Sequence, residues 1–170
     1  MKKSIFAGAC LTALLAFAPA GFAQDKAGQK FVKEAIEGNL AEVQMGQLAQ
    51  KNGASDGVRS FGQMLEKDHS AAKTKATAAA NSVGVTPPTA PNSKQKAAYD
   101  RMAKLSGAKF DREFVKHMIM DHKKDIAEYE KASKEGDAVG SYAKETLPTL
   151  HKHLDTAQSL SAAGATTGQR

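Results

Sequence analysis

Helical periodicity is the feature that most narrows the folds open to this chain. Apolar residues recur three and four positions apart over four long stretches. Nowhere do β-branched or aromatic residues alternate with polar ones as a half-buried strand requires. Phe31, Val32, Ala35, Ile36, Leu40, Val43 and Leu48 line one face of a helix expected over residues 29–50, with Asn52-Gly53 as its stop. Val58, Phe61, Leu65, Ala72, Ala76, Ala79 and Val83 do the same over 56–82, where Ser55 or Asp56 is the N-cap. A third helix starts near Lys94, breaks or kinks at Ser106-Gly107 and continues through 110–130. A fourth, over 137–160, carries Ala143, Leu147, Leu150, Leu154 and Ala157. Pro148 should kink it or make it restart with Thr146 as cap, since an interior proline costs about 3 kcal/mol. The one long interruption is GVTPPTAPNS at 84–93, whose three prolines hold an extended connector long enough to cross the end of a bundle. The pattern predicts an all-α, antiparallel four-helix bundle, its third helix broken near Gly107 and its helices crossing at about 20°.

The first residues do not belong to that pattern. Lys2 and Lys3 precede an apolar run, residues 5–17, that is too short to span a bilayer, and small residues follow it at Ala18-Pro19-Ala20 and Gly21-Phe22-Ala23. A signal peptide over 1–23, cleaved after Ala23, is expected, then a bundle domain over 24–160 and a disordered tail over 161–170, where apolar period ceases. Cys10 is the single cysteine and falls in the leader, so the mature chain suits an oxidising compartment without disulfides. Losing Lys2 and Lys3 leaves 22 basic residues against 18 acidic ones. That excess is small and its lysines are scattered without tryptophan, which argues against nucleic acid as a partner. No other stretch is apolar enough to span a membrane, so a periplasmic location is expected, with association to the outer membrane as its variant.

Chemistry, if there is any, sits where ionisable groups fall on apolar faces. On the 110–130 helix, Phe114, Met118, His122, Asp125, Ile126 and Tyr129 share one sector at about 100° per residue. His122 and Asp125 therefore point inward on neighbouring turns, which suits either a hydrogen-bonded pair or metal ligands. Asp68 and His69 lie close to the centre of the second stripe, whereas Glu66 lies farther round, so the Glu66-Lys67-Asp68-His69 match to a Glu-x-x-His dimetal spacing is weakened by direction. Asn39 and Glu42 sit near the middle and margin of the first stripe. His151 and His153 flank the fourth on opposite sides, so at most one of them faces its centre.

Taken together, Asn39-Leu40-Ala41-Glu42, Asp68-His69, Ser106-Gly107-Ala108-Lys109-Phe110-Asp111 leading to His122, and Leu147-Pro148 with His153 resemble the domain-of-unknown-function 4142 family. The resemblance covers about residues 30–160. It implies a ferritin-like fold and an exported bacterial protein of the kind often labelled an outer-membrane protein, and it singles out Glu42, Asp68, His69, Phe110, Asp111, His122, Pro148 and His153. The full ferritin-type set of two Glu and two Glu-x-x-His motifs is not present, because Ile119 precedes His122 and Leu150 precedes His153 by three. A weaker similarity, through His117-Met118-Ile119-Met120-Asp121-His122, is to the copper-linked domain-of-unknown-function 305 family. Met118 and Met120 face nearly opposite ways on a regular helix, so both cannot close on one Cu(I) ion.

No phosphate loop, nucleophile elbow or catalytic triad is present, and the sequence favours a non-catalytic role in envelope maintenance or stress tolerance. The alternative is a metal-binding or redox protein. Its cofactor would be a transition-metal ion, iron, zinc or copper, held by Glu42, Asp68, His69 and His122 with support from Asp125 and His153.

Overall fold

Side chains take up free amides at the starts of helices where Ser55, Asn92 and Asp137 stand, whereas Ser106 makes no such bond. The computed structural model describes residues 21–167. Among them are five helices and no strand: α1 (Gly21–Asn52), α2 (Asp56–Ser82), α3 (Ser93–Met102), α4 (Gly107–Ala132) and α5 (Ala138–Thr167). The expected leader lies outside the described residues except for its last three, which belong to α1. Ser55 caps α2 by accepting from the Val58 amide, and Asn92 caps α3 in a reciprocal box with Gln95.

The expected break in the third helix is complete, so five helices replace the expected four. Ala103–Ser106 is not helical, and Gly107 restarts the chain at φ +63°, a conformation open to glycine and strained for other residues. The break is fixed from outside. Asn52 donates to the Leu105 carbonyl at 2.8 Å, and the Asp111 carboxylate accepts from the amides of Ala54 and Ser55 at 2.8 and 2.9 Å. The α1–α2 turn and the α3–α4 break are thereby tied to each other.

Pro148 neither stops α5 nor makes it restart. The helix is continuous through it, and Thr146 donates its hydroxyl to the Tyr142 carbonyl instead of capping a new helix. The helix also continues to Thr167, beyond Leu160, where a disordered tail was expected. Ser161 to Gly164 are exposed, and the alanines there prolong the helix without burying anything.

The core divides in two along the helix axes. One apolar cluster gathers Val32, Ile36, Ala76, Ile126, Tyr129, Val139 and Leu150. The other gathers Met45, Phe61, Leu65, Phe110, Phe114, Met118 and Ala157. Chain order across the two gives the directions: α1 and α5 run from the first cluster to the second, α2 and α4 from the second to the first. The segment from Val83 to Leu105, containing the prolines and α3, therefore travels the length of the core, with Val83 and Val85 at one end and Tyr99 and Leu105 at the other. Where α1 meets α2, the backbones approach through Gly46 and Gly62. A Cβ on either would lie 2.6 Å from the carbonyl oxygen of the other, so only glycine fits.

Candidate metal centre

Between the two apolar clusters lies a buried polar layer, and each long helix contributes one step of it. Asn39 and Glu42 stand between Ile36 and Met45 on α1, His69 between Leu65 and Ala72 on α2, His122 between Met118 and Ile126 on α4, and His153 between Leu150 and Ala157 on α5. All five polar side chains are buried, none more than 4% exposed.

The three imidazoles face one another. One ring nitrogen from each of His69, His122 and His153 can be chosen so that all three lie within 4.8 Å of one another, and the ring centroids are 5.2 to 5.7 Å apart. The outward nitrogens decide the tautomers. His122 Nδ1 lies 3.0 Å from the Met118 carbonyl, a group that only accepts, so Nδ1 carries the proton and Nε2 is bare. His153 Nε2 lies 3.0 Å from Asp68 Oδ2, so Nε2 donates and Nδ1 is bare. Asn39 donates its amide to the Ala35 carbonyl and to Tyr142 Oη, which turns its Oδ1 towards His69 Nδ1 at 2.9 Å. His69 Nδ1 therefore donates, and its Nε2 is left bare and without any hydrogen-bond partner although fully buried.

Three lone pairs are thus turned into one small space. His122 Nε2 and His153 Nδ1 stand 3.2 Å apart with no proton assigned to either. A proton could bridge them, but burial opposes it. His122 is held down to about 4 by burial and then by the neighbouring His153, and His69 is driven well below its ordinary value by burial and by the other two rings. Burial lowers His153 too, against the pull of Asp68. A metal cation resolves the conflict because it accepts all three pairs. Around an ion bonded at about 2.0–2.1 Å, tetrahedral neighbours lie about 3.3 Å apart, close to the His122–His153 separation. Each ring also gives its other N–H to a carbonyl, a carboxylate or an amide oxygen, the support that metal-ligating histidines use.

The residues singled out in the sequence divide between this centre and its surroundings. His69, His122 and His153 come together, and His151 is exposed. Asp68 reaches His153 through its outer nitrogen, with its side chain one-quarter exposed. Asp125 does not bond to His122, contrary to the pairing suggested by their spacing; it takes Lys124 at 3.6 Å instead. Glu42 lies against Asp121 and Asp125, and its carboxyl is pushed well above the usual range by burial and then by their charges. Asp125 is likewise raised, to about 7, by burial and then by Asp121. Asp121 was not foreseen, although the dipeptide Asp-His at 68–69 recurs at 121–122 and could have marked it. Glu66 accepts from Gln47 and Gln50 on α1, so its Glu-x-x-His spacing serves helix contact. Met118 is buried and Met120 is 56% exposed, so the two thioethers do not meet.

A family model described as a domain of unknown function, DUF4142, matches residues 15–160. No curated protein and no solved structure matches the chain.

Proposed function

The chain belongs to the DUF4142 family, whose description brings no activity with it, and we propose that it is an exported protein that holds a transition-metal ion on His69, His122 and His153. The observation that carries this is that one ring nitrogen from each of the three histidines lies within 4.8 Å of the others, each ring also being held by an acceptor. Imidazole suits zinc, copper, iron and nickel alike, so the donor set favours this group over calcium or magnesium. Three protein ligands leave a further coordination position for water or a small anion. The role is binding in the service of envelope maintenance or stress tolerance, without a catalytic step.

The finer architecture we infer is ferritin-like. Its support is the order of directions among α1, α2, α4 and α5 together with one long crossover between α2 and α4, the connection that separates ferritin-like bundles from simple up-and-down ones. Export rests on the basic and apolar leader at residues 1–23 and on the lack of cysteine beyond it. Among the described residues no helix is long and apolar enough to cross a membrane, so envelope association would be peripheral.

Elemental analysis tests the binding reading. Protein recovered from the periplasm without chelators or a histidine tag should carry close to one transition-metal ion per chain. The His69→Ala, His122→Ala double variant should carry none. Metal-free wild type that stays metal-free after reconstitution would leave the three rings as a structural polar layer and refute the proposal.

A further inference from the structure

The outward face of α4 carries chemistry that the histidine centre does not use. We propose that Lys109, Arg112, Lys116 and Lys123, with Met120 among them, form a docking surface for a bilayer that presents anionic phospholipid headgroups. The inference deepens the peripheral envelope association proposed above. It rests on export for its compartment and is independent of the metal.

Three observations carry it. At about 100° per residue the five side chains fall within about 80° of one another on α4, opposite the buried Phe114 and Met118. All five are exposed, and the stripe from Lys109 to Lys123 extends about 21 Å at about 1.5 Å per residue. Among the described residues, none of its four cations is in an ion pair or donates a side-chain hydrogen bond. An ordinary solvated helix face mixes both signs, as α4 does where Lys124 pairs with Asp125 and Glu128. The stripe holds one sign. Net charge is placed to match: residues 93–120 hold seven lysines and arginines against three acids, which leaves 15 of the 22 basic and 15 of the 18 acidic residues beyond the leader to balance elsewhere. Of those three acids, Asp111 is already taken up by the amides of Ala54 and Ser55.

The surroundings favour lipid over other polyanions. Met120 is the one large apolar side chain exposed among the described residues, and it stands inside the stripe. There it can enter the headgroup region while the cations spread over phosphates. No aromatic side chain lies on the stripe to stack on bases, as single-stranded nucleic acid would want. Beside the stripe, a cleft of about 400 Å³ between α3 and α4 is lined by Arg101, Lys109 and Lys116 together with Met102 and Leu105. Cations around an apolar floor suit one phosphate and the glyceride carbons next to it. Glu113 is the one acid in that cleft, and it pairs with none of these cations.

Co-sedimentation of protein recovered from the periplasm with vesicles of equal parts phosphatidylglycerol and phosphatidylcholine tests the proposal. Wild type should bind these vesicles at low salt, release them at high salt and leave vesicles of phosphatidylcholine alone unbound. Each lysine or arginine near an anionic surface strengthens binding about fivefold, so the triple variant Lys109→Gln, Lys116→Gln, Lys123→Gln should bind about a hundredfold more weakly. The triple variant Lys33→Gln, Lys51→Gln, Lys144→Gln removes the same net charge from exposed positions on α1 and α5 and should stay within about threefold of wild type. Met120→Ser should weaken binding about threefold or more. Circular dichroism and zinc content of the stripe variant should match wild type, which separates this surface from the histidine centre. The proposal is overturned if wild type does not bind the anionic vesicles, if it binds neutral ones equally, or if the two triple variants weaken alike. Displacement of the vesicles by millimolar inorganic phosphate, or tighter binding to a single-stranded oligonucleotide than to the vesicles, overturns it as well. Failure of export looks different: the chain would stay inside the cell with its leader uncut. The variants, all carrying that leader, would then decide the stripe by the same comparison.

Discussion

Acid should remove the contribution of His122 to the stability of the metal-free protein, and the size of the effect follows from its surroundings. Burial and the neighbouring His153 hold the folded-state ring at about 4, against an ordinary value near 6.5. Because the unfolded chain binds the proton more readily, stability rises with pH across this interval and is lost as pH falls from about 6.5 towards 4. The loss attributable to this ring is roughly 2 kcal/mol at pH 5 and roughly 3 kcal/mol at pH 4, at about 1.4 kcal/mol per pH unit of displacement. Other groups change over the same range. His69 and His153 are also lowered and add to the loss, whereas Glu42 and Asp125 are raised and oppose it. Comparing wild type with His122→Gln isolates the ring. Urea unfolding of chelator-treated protein should show wild type ahead at pH 7 by roughly 1 to 3 kcal/mol, the cost of removing a buried hydrogen-bonding group. That lead should shrink to nothing or reverse by pH 4. A difference between the two proteins that stays constant from pH 7 to pH 4 would refute the buried, neutral His122 on which the metal argument depends.

Other substitutions probe the rest of the account. Asp68→Ala removes the acceptor that fixes His153 Nε2 as a donor, and zinc affinity measured by chelator competition should fall about 10- to 100-fold, the usual cost of losing such support. Glu42→Gln should raise the melting temperature of metal-free protein at pH 7, because a carboxylate whose folded value is raised destabilises the fold when ionised. That gain should disappear as pH falls towards 4, where the wild-type carboxyl is protonated in both states. Gly62→Ala places a methyl group 2.6 Å from the Gly46 carbonyl oxygen and should cost about 1–3 kcal/mol in urea unfolding, with far-UV circular dichroism unchanged at low denaturant.

Much of this structure is written in local pattern. Ser55 as cap, the break at Ser106-Gly107 and the inward direction of His69 and His122 all follow from spacing and residue chemistry, and the structure has each of them. Glu42 was placed with the histidines because a periodic stripe gives direction about one helix and says nothing about which neighbour is met. Its partners, Asp121 and Asp125, are set by how α1 lies on α4. His153 and His151 lie on opposite flanks of one stripe, and the rotation of α5 that buries His153 comes from packing against Phe61 and the other rings. Of the two outcomes open at Pro148, a kink or a restart capped by Thr146, the restart does not occur, because propensity alone leaves out tertiary contact. The helix holds on through Tyr142, Ala143, Leu150 and Ala157, buried on either side of the proline.

X-ray absorption spectroscopy of the zinc-loaded protein tests the central claim most directly, because multiple scattering from imidazole rings counts the histidines bound to the ion. The account predicts three imidazoles at about 2.0–2.1 Å with one water or small anion completing the shell. A spectrum of oxygen ligands alone, or one unchanged by His122→Ala, would contradict it.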